Sequence, residues 1–397
     1  MSRLSKPWIL LLGLAGALLA GAPAEAYIHT FCVNVRVTTV DSGAGEDFYP
    51  IAGAITMPAR WAKMTVTRNG ATVLPTTYAS SGGCVSFQSP YTSGFRLEMR
   101  GEARVPRTDN TNFNNTLQVR WPNDFLAKWI WYINNPGGGA VHVNTNQSRR
   151  TNLLALSTFI LSRWSDGLVN RTITVKDEGC HGDPTYSCAD GGTAFIRQSG
   201  NQNKFLVGHE LGHVLVHLWL DKHVPTSYAI NSGGAHCTTQ DTVHALHSKE
   251  YQSAALNEGF AQFYSTAAWN FNSQTDGWFH YYKDYYKEGT VQDVNVENGA
   301  TGGSTRYMET HCSGSDAGRS TELDWQRALW DYLTNSGDAP SHYQILRQLK
   351  NAINGGDWSN SNAYHAFAGA VADYDAQYGT SFHSRWLEMA TWNGIDH

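Results

Sequence analysis

Hydrophobic and polar residues alternate along the first third of the chain, from residue 27 to about 118. Phe31, Val33, Val35 and Val37 share one face of a predicted strand, because successive side chains of a strand point to opposite faces. Turn residues separate this strand from further alternating runs, which lie at 64–67, 84–87, 95–100 and 117–121. The pattern predicts a small antiparallel β-sandwich over residues 27–118.

The hydrophobic period changes at residue 123. Apolar residues now recur every three to four positions, which is the period of a helix. The predicted helices are 123–134, 151–164, 205–220, 254–269, 321–333, 340–353, 363–374 and 384–392, with short strands at 173–175 and 193–196. The aromatic run 278–286 favours another helix, the alternative being a lining for substrate pockets. The predicted fold is therefore α+β, with a second domain at 119–397 that is mostly helical after the helix at 205–220.

The most specific chemical pattern lies inside the predicted helix 205–220, where His209 and Glu210 are followed by His213. Residues four apart on a helix share a face, so the two imidazoles can bind one Zn²⁺. Glu210 stands beside them and can accept a proton from the attacking water. This His-Glu-x-x-His pattern is typical of zinc-dependent proteolysis. The alternative is a buried amphipathic helix with hydrogen-bonded histidines.

A catalytic zinc needs a third protein ligand. The same helix does not supply it, because Trp219 stands where a third histidine would follow and His217 lies one turn beyond His213. The second predicted helix carries Leu-Asn-Glu-Gly-Phe-Ala at 256–261, which makes Glu258 the candidate ligand. Taken alone, Glu258 could also be an ordinary carboxylate near a helix start, where the helix dipole favours negative charge.

The order His-Glu-x-x-His and then Asn-Glu-x-x-Ala resembles the gluzincin metallopeptidases, which include the thermolysin-like proteases and zinc aminopeptidases. The resemblance covers residues 120–335 and rests on these two motifs. It implies a zincin-type metallopeptidase domain with a peptide or protein substrate. It also implies that His209, His213 and Glu258 bind zinc and that Glu210 is the general base.

Two features depart from the gluzincin pattern. Forty-four residues separate His213 from Glu258, about twice the usual gap. Gln262 stands where thermolysin-like enzymes carry an aspartate that orients a zinc ligand, although its amide oxygen can still accept a hydrogen bond. The extra length predicts an insertion near the cleft, which contains His223, His236, Cys237, His244 and His247.

The resemblance further implies a donor for the tetrahedral oxyanion, a Tyr or His that follows the glutamate helix. The candidates are Tyr307, His311 and Arg319, of which we prefer Tyr307. Strand 193–196 is similarly placed to the edge strand that holds the substrate backbone, and a plain structural strand is the alternative. The strands of the N-terminal domain resemble the transthyretin-like modules attached to secreted peptidases.

The first 26 residues have the pattern of a signal peptide. Arg3 and Lys6 precede an apolar run at 8–20, and a small-x-small sequence ends at Ala26. We therefore expect cleavage after Ala26 and a secreted or periplasmic protein. The apolar run is too short to span a bilayer, and no later run is long and apolar enough to do so.

Six cysteines in an exported chain favour three disulfides. The sequence leaves fifteen pairings open. A Cys/His metal site is the alternative, but no Cys-x-x-Cys spacing is present. Proximity within the predicted domains favours Cys32–Cys84, Cys180–Cys188 and Cys237–Cys312.

The chain carries a formal net charge of −5 and has no basic run. Nucleic acid and anionic membrane surfaces are therefore poor partners. The sequence predicts a zinc peptidase, and it does not set the oligomeric state. Two alternatives remain open, a non-catalytic secreted binding protein with a zincin fold and a zinc hydrolase that acts on a non-peptide substrate.

Overall fold

A computed structural model describes residues 26–38, 54–107, 114–136, 138–145, 148–164, 168, 170–198, 203–226, 244, 246, 250–272, 277–281, 293–296, 318–335 and 338–395. These residues contain fourteen strands and seven α-helices. Most strands precede residue 200 and most helices follow it, which confirms the predicted α+β class.

The secondary structure has the following bounds. The strands are β1 Tyr27–Thr38, β2 Ala54–Pro58, β3 Ala62–Arg68, β4 Ala71–Tyr78, β5 Cys84–Ser89, β6 Phe95–Pro106, β7 Asn114–Arg120, β8 Lys128–Ile133, β9 Gly139–Thr145, β10 Thr172–Lys176, β11 Cys188–Asp190, β12 Thr193–Phe195, β13 Trp278–His280 and β14 Asp293–Asn295. The helices are α1 Arg149–Arg163, α2 Lys204–Leu220, α3 Gln252–Trp269, α4 Glu322–Thr334, α5 His342–Asn354, α6 Ala363–Tyr378 and α7 Phe382–Trp392.

Strand β1 is the centre of the smaller sheet. On one side it pairs in parallel with β9. On the other side its first half pairs with β5 and its second half with β2, both antiparallel. The four residues predicted to share a face, Phe31, Val33, Val35 and Val37, are all fully buried. The alternating pattern therefore identified the core face of this strand correctly.

The larger sheet links the N-terminal region to the helical half. Its order is β4-β3-β6-β7-β10-β12-β11, and β8 pairs with the first half of β6. Strand β7 contains residue 118, the predicted end of the first domain, and pairs both with β6 and, in parallel, with β10. At its far end, β11 and β12 lie against α2. One continuous sheet therefore supports the helix that carries the His-Glu-x-x-His motif.

Aromatic side chains join the two sheets. Phe31 and Phe87 come from the smaller sheet, and Phe95 comes from the larger one. The ring centroid of Phe95 lies 5.6 Å from that of Phe31 and 5.5 Å from that of Phe87, within the range of favourable edge-to-face contacts. The buried core continues from this cluster into the helices.

Two segments predicted to be helical contain strands. The segment 123–134 contains β8, in which Trp129 and Trp131 pack towards the core while Tyr132 is 83% exposed. This alternation has a period of two, and aromatic residues favour strands, so the strand prevails over the weak helical pattern. The aromatic run 278–286 begins with β13, which pairs with β14. Residues 282–286 lie outside the described part.

Two of the three expected disulfides are present. Cys32 bonds to Cys84, its direct partner in the β1–β5 ladder, and Cys180 bonds to Cys188. The third predicted pair, Cys237–Cys312, lies outside the described residues. Among the helices that the structure describes, none has both the length and the apolar character that crossing a bilayer requires.

Small residues allow α2 and α3 to pack closely. A Cβ atom on Gly208 would lie 2.4 Å from Ser265 Oγ and 3.1 Å from the Cα of the same residue. A Cβ atom on Gly212 would lie 3.0 Å from the Cα of Ala261. Ser265 Oγ also donates a 2.8 Å hydrogen bond to the backbone oxygen of Phe205. The two helices therefore approach to a distance that only glycine permits at these positions.

Replacing Gly208 with alanine tests this contact. We expect Gly208→Ala to destabilise the protein by about 1–3 kcal/mol, the usual cost of overpacking a core, measured by denaturant unfolding. Gly369→Ala is the matched control, because Gly369 is an exposed residue of α6 and a Cβ atom there meets nothing within 4 Å. That change should stabilise the protein by up to about 1 kcal/mol through helix propensity. Equal effects of the two substitutions would contradict the proposed close contact.

Candidate metal centre

Helix α2 begins at a capped residue and carries both histidines of the motif. The side-chain oxygen of Asn203 accepts hydrogen bonds from the backbone N–H groups of Phe205 and Leu206, each 3.0 Å long, which satisfies amides that the helix itself cannot pair. His209 and His213 follow one turn apart on the face that meets α3. The cap and the helical period together direct both imidazoles to the same place.

Helix α3 brings a carboxylate to the two histidines. Glu258 lies in its second turn and is 4% exposed. The next residue, Gly259, faces α4, where a Cβ atom would lie 2.4 Å from Trp325 Cβ and 2.7 Å from the backbone oxygen of Glu322. Helix α3 is therefore held between α2 and α4, and Glu258 points to the α2 side.

Three ligand atoms converge at this point. The Nε2 atoms of His209 and His213 lie 3.1 Å apart, and Glu258 Oε2 lies 3.2 Å from the first and 3.3 Å from the second. A tetrahedral zinc with bonds of about 2.0–2.1 Å separates its ligand atoms by about 3.3 Å. The three predicted ligands are thus brought together with the spacing of one metal site, and this group could hold a metal ion.

Burial and charge determine the protonation of the group. Burial lowers the pKa of His209 to about 4, so this imidazole is neutral at pH 7. Burial also disfavours a charge on His213, but the Glu258 carboxylate outweighs it and raises the pKa of His213. Burial opposes the charge of Glu258, yet His213 and His244 hold its pKa well below the ordinary value. A metal ion would take the place of the proton on His213.

Glu210 lies beside the two histidines on α2 and is 4% exposed. Its charge is one of those that raise the pKa of His213. It does not belong to the group of three ligand atoms. A buried carboxylate whose charge acts on His213, and which is not needed as a ligand, can accept a proton at this site.

Sequence reasoning did not identify a second group beside the first. His244 Nδ1 lies 2.5 Å from Glu322 Oε1 and 4.0 Å from Glu258 Oε2. Glu322 is the first residue of α4 and is fully buried. The sequence places His244 only within the predicted insertion. No spacing in the sequence links it to Glu322, which lies 78 positions later.

The other predicted residues are placed as follows. Tyr307 and His311 lie outside the described residues. Arg319 donates to the backbone oxygen of Ile395 at 3.1 Å, and its guanidinium also meets His365 and the ring of Tyr364. Since the C-terminal helices hold Arg319 in this way, it is a poor candidate for an oxyanion donor. Gln262 is fully buried on α3, one turn after Glu258.

The remaining candidates lie apart from the three ligands. The ring of His217 is 6.4 Å from that of His213 and 4.6 Å from that of His223, between centroids. His181 lies near Cys180 and Cys188, but the two sulfurs form a disulfide and are not metal ligands. The Cys/His metal site considered from the sequence is therefore wrong for this pair.

The expected edge strand is not at the edge of the sheet. β12, which corresponds to the predicted strand 193–196, lies between β10 and β11. The terminal strand is β11, a three-residue segment that the Cys180–Cys188 disulfide ties to the preceding turn. The sequence could not indicate this, because β11 is too short to give an alternating pattern.

No protein-family model matches this chain, and no curated protein matches it either. The geometry of the site and the two motifs that build it are therefore the only indications of its function.

Removing the carboxylate ligand tests the metal centre. Loss of a residue that only hydrogen-bonds a metal ligand lowers metal affinity roughly 10–100-fold. We expect Glu258→Ala to lower zinc affinity by more than this, because it removes a ligand. Metal content after dialysis against a fixed chelator would measure the change. His223→Ala is the control, since this exposed histidine pairs with Asp190 and not with the three ligands. Full metal content in Glu258→Ala would show that Glu258 is not a ligand.

Proposed function

We propose that this protein is a secreted zinc-dependent peptidase that hydrolyses peptide bonds. The observation that carries the proposal is the triangle of His209, His213 and Glu258 ligand atoms, with sides of 3.1–3.3 Å, next to the buried carboxylate of Glu210. Three protein ligands leave the fourth position of a tetrahedral metal for water or substrate, which is the pattern of catalytic zinc sites.

Zinc suits the donor set better than a hard cation would. Two imidazole nitrogens and one carboxylate oxygen are ligands that Zn²⁺ accepts, whereas Mg²⁺ and Ca²⁺ prefer oxygen ligands. The neutral state of His209 at pH 7 supports the same assignment. When bound, zinc supplies a Lewis acid that polarises the scissile carbonyl and lowers the pKa of water.

Glu210 is the proposed general base. Glu210 follows His209 on α2, its charge acts on His213, and it lies outside the group of three ligand atoms, which supports this role. It accepts a proton from the attacking water and passes that proton to the amine that leaves. A zincin-type fold of the gluzincin kind accounts for this arrangement, since the two motifs lie on adjacent helices that pack directly on each other.

The oxyanion formed during hydrolysis needs a hydrogen-bond donor besides the metal. We propose Tyr307 for this role, with His311 as the alternative. Both precede α4 in the sequence. The first residue of α4 is Glu322, which pairs with His244 beside the three ligands.

Export from the cytoplasm is proposed on two grounds. The pattern of residues 1–26 predicts a signal peptide. The disulfides Cys32–Cys84 and Cys180–Cys188 are consistent with an oxidising compartment, because cytosolic thiols are kept reduced.

The variant Glu210→Gln separates an enzyme from a binding protein. It keeps the size of the side chain but removes the base, so hydrolysis of a casein-type substrate should fall by at least about 10²–10⁴-fold, while zinc content stays the same. The same substitution at Glu388, an exposed residue of α7, serves as the control and should leave the rate unchanged. An unchanged rate in Glu210→Gln would favour a binding scaffold over a peptidase.

The variant Tyr307→Phe tests the oxyanion donor. Removal of one such donor should lower kcat by around 10²–10³-fold with little change in KM. Tyr186→Phe, at a tyrosine that is 51% exposed, is the control. A normal rate in Tyr307→Phe together with a slow His311→Ala would move the role to His311 and leave the peptidase proposal standing.

A further inference from the structure

We propose that His244, Glu258 and Glu322 bind a second divalent cation, so that the Glu258 carboxylate is shared by two metal ions. The inference rests on the metal site of the proposed function, because Glu258 belongs to both groups. It adds to that function a two-metal centre in place of a single zinc.

The three side chains come from separate parts of the chain and converge on one point. One ligand atom from each lies within 4.8 Å of the other two. Glu322 begins α4, Glu258 lies on α3, and His244 belongs to the segment that precedes α3. Two described residues near His244 are held beside the start of α4 by backbone hydrogen bonds, from Leu323 N to Leu246 O at 3.2 Å and from Glu250 N to Ser320 O at 2.7 Å.

Glu322 is a carboxylate that calls for a positive partner. Its side chain is fully buried, and among the described residues its Oε2 atom has no hydrogen-bond partner. A buried carboxylate is costly unless it is paired or coordinates a metal. His244 reaches Oε1 but leaves Oε2 open. A cation bound by the group would give this carboxylate a second positive partner.

The two groups already interact electrostatically. Glu258 belongs to both groups, and its Oε2 atom lies 3.3 Å from His213 Nε2 and 4.0 Å from His244 Nδ1. Three carboxylates, those of Glu210, Glu258 and Glu322, are gathered around the first group. With neutral histidines, the charge of this set is negative with one divalent ion and positive with two, so charge permits a second ion and the position of the ligand atoms decides whether it binds.

The distances show what binding would change. His244 Nδ1 and Glu322 Oε1 are 2.5 Å apart, as in a hydrogen-bonded pair, whereas the first group has spacings of 3.1–3.3 Å. A cation would displace the proton between these two atoms to solvent. It would also move them apart, from 2.5 Å towards the roughly 3.3 Å between two ligands of a tetrahedral zinc. The side chain of His244 is 26% exposed. The imidazole therefore has room to rotate away from Glu322, and an ion can enter from solvent on that side.

Zinc stoichiometry of the full chain tests the second site. We expect two zinc ions per chain at saturating zinc, one in Glu322→Gln, and none retained in Glu258→Gln, because only Glu258 serves both sites. His244→Gln removes the partly exposed ligand of the second site and should also retain one ion. Glu388→Gln is the matched control for the charge change and should retain two. Circular dichroism of each variant verifies that it is folded.

A spectroscopic measurement gives a second readout that does not depend on activity. When cobalt replaces zinc, the first equivalent should give an electron paramagnetic resonance signal, and the second should weaken it, because a shared carboxylate couples the two ions. In Glu322→Gln the signal should persist at all cobalt concentrations.

The outcomes distinguish the two proposals. One zinc ion in both the natural chain and Glu322→Gln, with hydrolysis retained, would overturn the second site and leave the peptidase standing. His244 and Glu322 would then be a hydrogen-bonded pair only. No bound zinc and no hydrolysis in the natural chain would overturn both proposals.

Discussion

The close contact between α2 and α3 is the constraint on which the metal group depends. His209 and His213 lie on one helix and Glu258 on the other, so the spacing of the ligand atoms follows from the spacing of the helix axes. A metal site tolerates errors of only about 0.2 Å in ligand distance. Gly208 and Gly212 have no side chains that would hold the helices apart. The hydrogen bond from Ser265 to Phe205 O fixes the relative position of the two helices.

Local patterns in the sequence predicted the elements that build the site. The period of apolar residues gave α2 to within one residue at its start, and the spacing of four placed His209 and His213 on a common face. Glu258 is predicted as a metal ligand only because its motif resembles that of a known family. Nothing else in the neighbouring sequence requires a metal ligand at this position. The alternation in β1 likewise identified a buried face, because burial of one side of a strand leaves a direct trace in the sequence.

Tertiary contacts account for what the sequence did not predict. The pairing of His244 with Glu322 depends on how α4 packs against Gly259, and no local period encodes this. The sequence predicts a helix at β8 because, over a short window, its aromatic residues fit both the helical period and the strand period. Pairing with β6 selects the strand. The two short strands β11 and β12 take their order in the sheet from their neighbours, so sequence alone could not say which one lies at the edge.

The parallel pairing of β1 with β9 has a consequence for the order of folding. His29 pairs with Gly139, so about 110 residues must be in place before this ladder can form, and contacts so distant in sequence form slowly. The disulfide from Cys32 to Cys84 requires only β1 and β5, which are half as far apart. During folding, the first covalent link can therefore close while one edge of β1 is still open to other strands, until β9 pairs with it.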